Sequence, residues 1–219
     1  MSQILLVRHG QASWGADDYD VLSPLGAQQT EVLGAALAAR RLVPDVVLHG
    51  RMQRQSETAR LLVEAAGWTG TEEDGGWDEM DHHRVLELQP RPFEGDQPTP
   101  REFQAWFEAA TERWTGGEFD GEYDESFPAF GKRVREALDR ATGRLADNAV
   151  AVVVTSGGPI ARITADLLGG GVGLHRMLAP VVVNASLTKV VVGRRGTSLV
   201  SFNDHSHLEA AEPGLVTYR

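Results

Sequence analysis

The sequence predicts a mixed α/β fold on a mainly parallel sheet, and three stretches carry that expectation. Ile4-Leu5-Leu6-Val7 runs straight into Arg8-His9-Gly10, as a buried parallel strand does when it ends at a polar edge. Two strand–helix units then follow one another over the first third of the chain. A last apolar run, Val150 to Val154, ends in Thr155-Ser156-Gly157-Gly158-Pro159 and leads into another helical pattern.

The elements follow in order. After the first strand, Leu22-Ser23-Pro24-Leu25-Gly26 opens a helix to about Arg41: Ser23 suits the N-cap, Pro24 the first helical position, and Leu25, Leu33 and Leu37 share one face. Pro44 breaks the chain. Asp45 to Leu48 is a second short strand, ending in His49-Gly50-Arg51, and Gln53 to Ala66 returns to helix. From Trp68 to about Phe127 the pattern is irregular and rich in Gly, Pro, Trp and acid, with one amphipathic helix near Arg101 to Trp114 whose aromatic residues fit a packing face. That stretch reads as an insertion over the carboxyl edge of the strands. Pro128 to Asp147 has helical period, and Leu187 to Val192 with Leu199 to Phe202, joined through Gly193-Arg194-Arg195-Gly196, form a closing antiparallel hairpin.

The 219 residues and 42% hydrophobic content suffice for one domain spanning 1–219 with an inserted cap at about 80–127. A formal charge of -10 argues against nucleic acid or an anionic membrane as partner, so any bound anion needs a local positive site. The absence of cysteine excludes disulfides, thiolate catalysis and zinc–thiolate centres. No basic leader precedes a long apolar segment and no apolar run approaches the ~20 residues of a membrane span, so the cytoplasm is the expected location. His82-His83 and His205-x-His207 sit in loop-like surroundings where such pairs are ordinary surface residues. No metal and no cofactor are expected, and oligomeric state is left open.

Three strands thus end in polar residues: Arg8-His9-Gly10, His49-Gly50-Arg51 and Ser156-Gly157-Gly158. In a parallel sheet the carboxyl ends of the strands share one edge, and ligands bind there. The glycine pair opens a helix whose N-terminal N–H groups attract anions, and Arg8 and Arg54 add planar forks suited to phosphoryl oxygens. An imidazole in that setting can take a phosphoryl group and then surrender it to water. Departure of an alcohol needs a proton; Glu79, in Trp77-Asp78-Glu79-Met80-Asp81-His82, is the candidate donor, though spacing alone does not separate it from Asp78 or Asp81. Gln11, His49 and His82 are candidate accessory groups.

Arg8-His9-Gly10 after an N-terminal strand, Arg54-Gln55-Ser56-Glu57-Thr58-Ala59 in the second helix, and Asn203-Asp204 with His207-Leu208 near the end resemble the histidine phosphatase superfamily, the phosphoglycerate mutase-like proteins. The resemblance covers nearly the whole chain. It implies a three-layer α/β/α sandwich, metal-independent phosphohistidine chemistry, His9 as nucleophile, Arg8 and Arg54 as phosphate clamps, and Glu79 as proton donor; Ser156 and Gly157, at the N-terminus of the glycine-opened helix, are the further expected phosphate-binding residues.

Two departures stand out. The family usually carries a second histidine in a strand-end His-Gly-Gly, where this chain has Ser156-Gly157-Gly158. Loss of one transition-state donor costs on the order of 2.7–4 kcal/mol, about a hundred- to a thousand-fold in rate, unless something replaces it. After the first motif, relatives often have Ser or Thr and then Asn, where this chain has Ala12 and Gly15, which argues against a true mutase. The expected function is hydrolysis of a small phosphomonoester through His9, with a small phosphorylated substrate or inorganic phosphate as the bound partner. The rivals are a binding or regulatory module with weak turnover and, third, a mutase.

Overall fold

Alternating side chains of the first strand, β1 (Ser2–Arg8), split the core between the two faces of a sheet. Leu5 and Val7 pack with Leu33 and Leu37 of α1 (Pro24–Ala39), Val47 of β2 (Val46–His49), Ala59 and Leu62 of α2 (Gln53–Ala66), and Val152 and Val154 of β4 (Val150–Thr155). Ile4, Leu6, Ala151 and Val153, of the opposite parity, are fully buried on the other face, where α6 (Gly157–Leu167) lies against β1. Each Val, Leu or Ile side chain so removed from water contributes about 1.5–3 kcal/mol.

The computed structural model describes residues 1–13, 20–95 and 98–218; Gly15 lies outside them. Its six-stranded sheet has the order β3-β2-β4-β1-β5-β6. Strands β1, β2, β4 and the two-residue β3 (Glu72–Glu73) are parallel, while β5 (Leu187–Gly193) and β6 (Gly196–Asp204) form the antiparallel hairpin, with Gly196 at φ +103° in its turn. The mixed α/β reading with a mainly parallel sheet holds. Ser23 caps α1 through Gly26 N–H at 3.0 Å with Pro24 at its start, as its sequence predicts. The sequence reading did not foresee β3, α7 (Gly171–Leu178) or α8 (Ser206–Ala211).

The chain divides into two compact units: Met1–Glu79 with Val134–Arg219, and Met80–Arg133. The second contains α3 (His82–Glu87), whose N-cap Asp81 accepts from Arg84 N–H, and α4 (Pro100–Gly116), opened by a Thr99–Glu102 capping box. Trp114 of α4 meets Phe127 and Phe130 edge-on at 5.1 and 5.3 Å. These phenylalanines open α5 (Phe127–Gly143), which continues into the first unit. No helix among the described residues is long and apolar enough to cross a membrane.

Candidate active site

Strands β2, β4 and β1 are parallel neighbours, so their polar ends lie side by side. Arg8 pairs in register with Thr155, His9 N–H donates to the Thr155 carbonyl at 2.9 Å, and Gly50 N–H reaches the Val154 carbonyl. The chain leaves β1 through a close crossing with α1: a Cβ on Gly10 would stand 2.3 Å from the Gly26 carbonyl oxygen. Glycine at both positions lets the two backbones touch.

That crossing fixes His9, which is 5% exposed. Its Nδ1 lies 2.6 Å from the Gly10 carbonyl, an acceptor only, so Nδ1 carries the proton and Nε2 the lone pair. Arg54 Nε donates to Nε2 at 3.1 Å. Burial first, then the Arg54 and Arg8 charges, hold the imidazole well below its usual pKa, against a smaller opposing pull from the Gly10 carbonyl. His9 is therefore neutral at pH 7. Asn184 braces its backbone, donating to the His9 carbonyl at 3.2 Å.

Arg54 opens α2, where a cation opposes the helix dipole. Asp20 offsets this: Oδ1 accepts from Arg54 Nη1 at 2.6 Å and Oδ2 from the Gln53 N–H at 2.8 Å. Arg8 is more constrained than a simple fork. Its Nη1 donates to the Val182 carbonyl and to the Tyr218 carbonyl, the latter at 2.9 Å, while Nε lies 3.7 Å from where a Cβ on Gly157 would stand. The Nε edge of the guanidinium therefore faces the glycine that opens α6.

The three carboxylates that spacing left open have separate surroundings. Asp78 accepts from Arg51 through N–H at 2.6 Å and Nε at 2.8 Å, and Asp81 caps α3. Glu79 accepts the Gly158 N–H at 2.8 Å, and a Cβ on Gly158 would stand 2.0 Å from its Oε1. The second glycine of the pair makes room for this carboxylate. The turn carrying Glu79 is tied down through the Trp77 carbonyl, which accepts from Thr155 Oγ1 at 2.5 Å and Gln55 Nε2 at 3.2 Å. Ser156 is 1% exposed, stands at the N-cap of α6 without a side-chain cap bond, and accepts from Gln55 Nε2 at 2.9 Å.

His9, Arg8, Arg54, Glu79, Ser156 and Gly157 are thus brought to one edge of the sheet. Gln11 serves the loop: its N–H donates to Gln29 Oε1 at 2.9 Å and its side-chain oxygen accepts from Ser23. His49 Nδ1 bonds the neighbouring Gly50 carbonyl, and no hydrogen bond among the described residues joins it to His9, Arg54, Ser156 or Glu79. His82 belongs to the Met80–Arg133 unit, its ring 4.1 Å from that of His83. Among the described residues no group of three or more His, Asp or Glu gathers as a metal site would require. Sequence reasoning missed Asp20, Gln55, Asn184 and the Trp77 carbonyl; Gln55, beside Arg54 on the first turn of α2, was the most accessible of them.

The fold is shared with solved structures of low identity. Bacillus stearothermophilus YhfR superposes with a TM-score of 0.71 at 21% identity over 94% of this chain and 99% of that one. A mutant phosphoserine phosphatase from Entamoeba histolytica, in complex with phosphoserine, gives 0.69 at 19% identity over 95% and 100%. Among curated proteins, a 2,3-bisphosphoglycerate-dependent phosphoglycerate mutase of Thermobifida fusca (strain YX) is 36% identical over 74 residues, 31% of this chain and 30% of that protein. The match thus spans under a third of that relative's length. The model of the histidine phosphatase superfamily (branch 1) matches residues 4–205, covering the sheet from β1 to β6 and every strand end described above, and the chain belongs to that superfamily.

Proposed function

We propose that this chain hydrolyses small phosphomonoesters, without a metal, through a phosphohistidine on His9. The observation that carries this is the state of His9: neutral, with its Nδ1 proton on the Gly10 carbonyl and its Nε2 lone pair beside Arg54. Nε2 attacks phosphorus as the bond to the leaving oxygen breaks, and the Glu79 carboxylic acid gives that oxygen its proton. The Glu79 carboxylate then takes a proton from water, whose oxygen attacks phosphorus as the N–P bond breaks, restoring neutral His9 and releasing phosphate. Arg54, the Nε edge of Arg8 and the N-terminus of α6 hold the phosphoryl oxygens. A structural relative was solved with phosphoserine, which fits a small phosphorylated substrate here.

Release of phosphate from nitrophenyl phosphate in EDTA, lost in His9→Ala, is the test. The second reading is a phosphate-ester-binding module, favoured by the neutral Ser156 in place of an imidazole. Phosphate binding without turnover in the same assay would select it.

A further inference from the structure

We propose that Gln55 is a positioning residue that turns the Ser156 hydroxyl so that its hydrogen points to a phosphoryl oxygen, making the pair the stand-in for the imidazole that relatives carry at this strand end. The inference rests on the phosphate-site reading given above. Gln55 is fully buried, and its amide has three partners. Oε1 accepts the Met52 N–H at 3.4 Å, and Nε2 donates both to the Trp77 carbonyl at 3.2 Å and to Ser156 Oγ at 2.9 Å. A flipped amide would set its oxygen against the Trp77 carbonyl oxygen and its nitrogen against the Met52 N–H, so the backbone on both sides fixes which end faces Ser156.

Facing an NH2 group, Ser156 Oγ can only accept from it. The hydroxyl's own hydrogen then has to go elsewhere, and it has no acceptor among the described residues. A donor 99% removed from water without a partner is unfavourable, and a phosphoryl oxygen at the N-terminus of α6 would satisfy it. Accepting from Gln55 also polarises the O–H, strengthening it as a donor. The carbonyl that orients Gln55 is the one that accepts from Thr155, so the device is anchored to the end of β4 and to the turn bearing Glu79.

The test is a double-mutant cycle of Gln55→Met and Ser156→Ala, read by kcat and KM on nitrophenyl phosphate, by inhibition with vanadate, and by thermal denaturation. Ser156→Ala should lower kcat about 10- to 100-fold, the range of a hydrogen bond to a charged group. Gln55→Met should reproduce most of that loss with KM little changed, and should cost under about threefold once Ser156 is alanine. Equal losses from Gln55→Met in both backgrounds would mark Gln55 as merely structural and overturn the proposal, as would unchanged kcat in either single variant. Gln55→Leu serves as the second apolar replacement should Gln55→Met not fold. If the parent shows no turnover, the phosphatase reading fails, and the same cycle is run on the affinity for inorganic phosphate. Coupling there supports the orientation of Ser156, and additivity overturns it.

Discussion

Arg54 Nε donates to His9 Nε2 at 3.1 Å, so the imidazole lone pair and a buried guanidinium meet at a point. The contact has two effects. It disfavours a second proton on His9, and it sets a guanidinium where a phosphoryl group must arrive. Asp20 keeps Arg54 from being an isolated buried charge.

Asp20→Asn should weaken the site through Arg54. The amide oxygen can still accept from Arg54, but the amide NH2 then faces the Gln53 N–H and no charge balances the guanidinium, so kcat/KM should fall about tenfold, as for loss of the one charge-assisted bond to Gln53 N–H. Steady-state kinetics with unchanged phosphate affinity and turnover would contradict the role given to Asp20.

Glu79→Gln should slow hydrolysis of an alkyl phosphate by about 10²–10⁴ and of nitrophenyl phosphate far less, because the latter's leaving group hardly needs a proton. Gly158→Ala should give the same pattern more weakly, since its Cβ would stand 2.0 Å from Glu79 Oε1 and displace the carboxylate without altering its chemistry. Equal losses on both substrates would remove Glu79 from the role of acid.

Ser156→His alone should not raise activity, because Ser156 is 1% exposed and Gln55 Nε2 sits 2.9 Å from its oxygen. The ring needs the space that Gln55 fills. Combined with Gln55→Ala, the histidine should raise kcat above that of Gln55→Ala by up to the hundred- to thousand-fold that one such donor is worth, about 2.7–4 kcal/mol. A gain in the single variant would contradict this packing.

Acid should destabilise the fold through its buried histidines. Burial holds His175 at about 4 and lowers His9 and His207 from 6.5 as well. The unfolded chain then binds more protons than the folded one between those values, so stability falls as pH drops from 6.5 toward about 4. For His175 the loss is on the order of 3 kcal/mol across that window. Urea midpoints at pH 7 and pH 5 should differ less in His175→Gln than in the parent, and an identical difference would contradict the assignment.

The parts legible in the sequence were those with local signatures. Ser23-Pro24 announces the start of α1, and the apolar runs into Arg8-His9 and Ser156-Gly157 announce parallel strands ending at one edge. Residues that brace the site across long separations carry no such signature. Gln29, fully buried, accepts from Gln11 N–H and donates to the Leu215 carbonyl and Thr217 Oγ1, and only the closed fold brings those segments together. The same holds for the Tyr218 carbonyl on Arg8, which turned an expected two-armed clamp into one with an arm committed to the backbone. The strand β3 escaped notice because Glu72 and Glu73 are exposed acids, joined to the sheet by strand pairing with Leu48 and His49.

The most direct test of the account is to trap the phosphorylated enzyme. The protein is mixed with radiolabelled nitrophenyl phosphate, quenched in alkali, where phosphohistidine survives, and mapped by peptide mass spectrometry. The account predicts a phosphoryl group on His9, labile to acid, formed and discharged at rates consistent with turnover, and absent from His9→Ala together with activity. Phosphate release that persists in His9→Ala, or a label carried by any other residue, would contradict it.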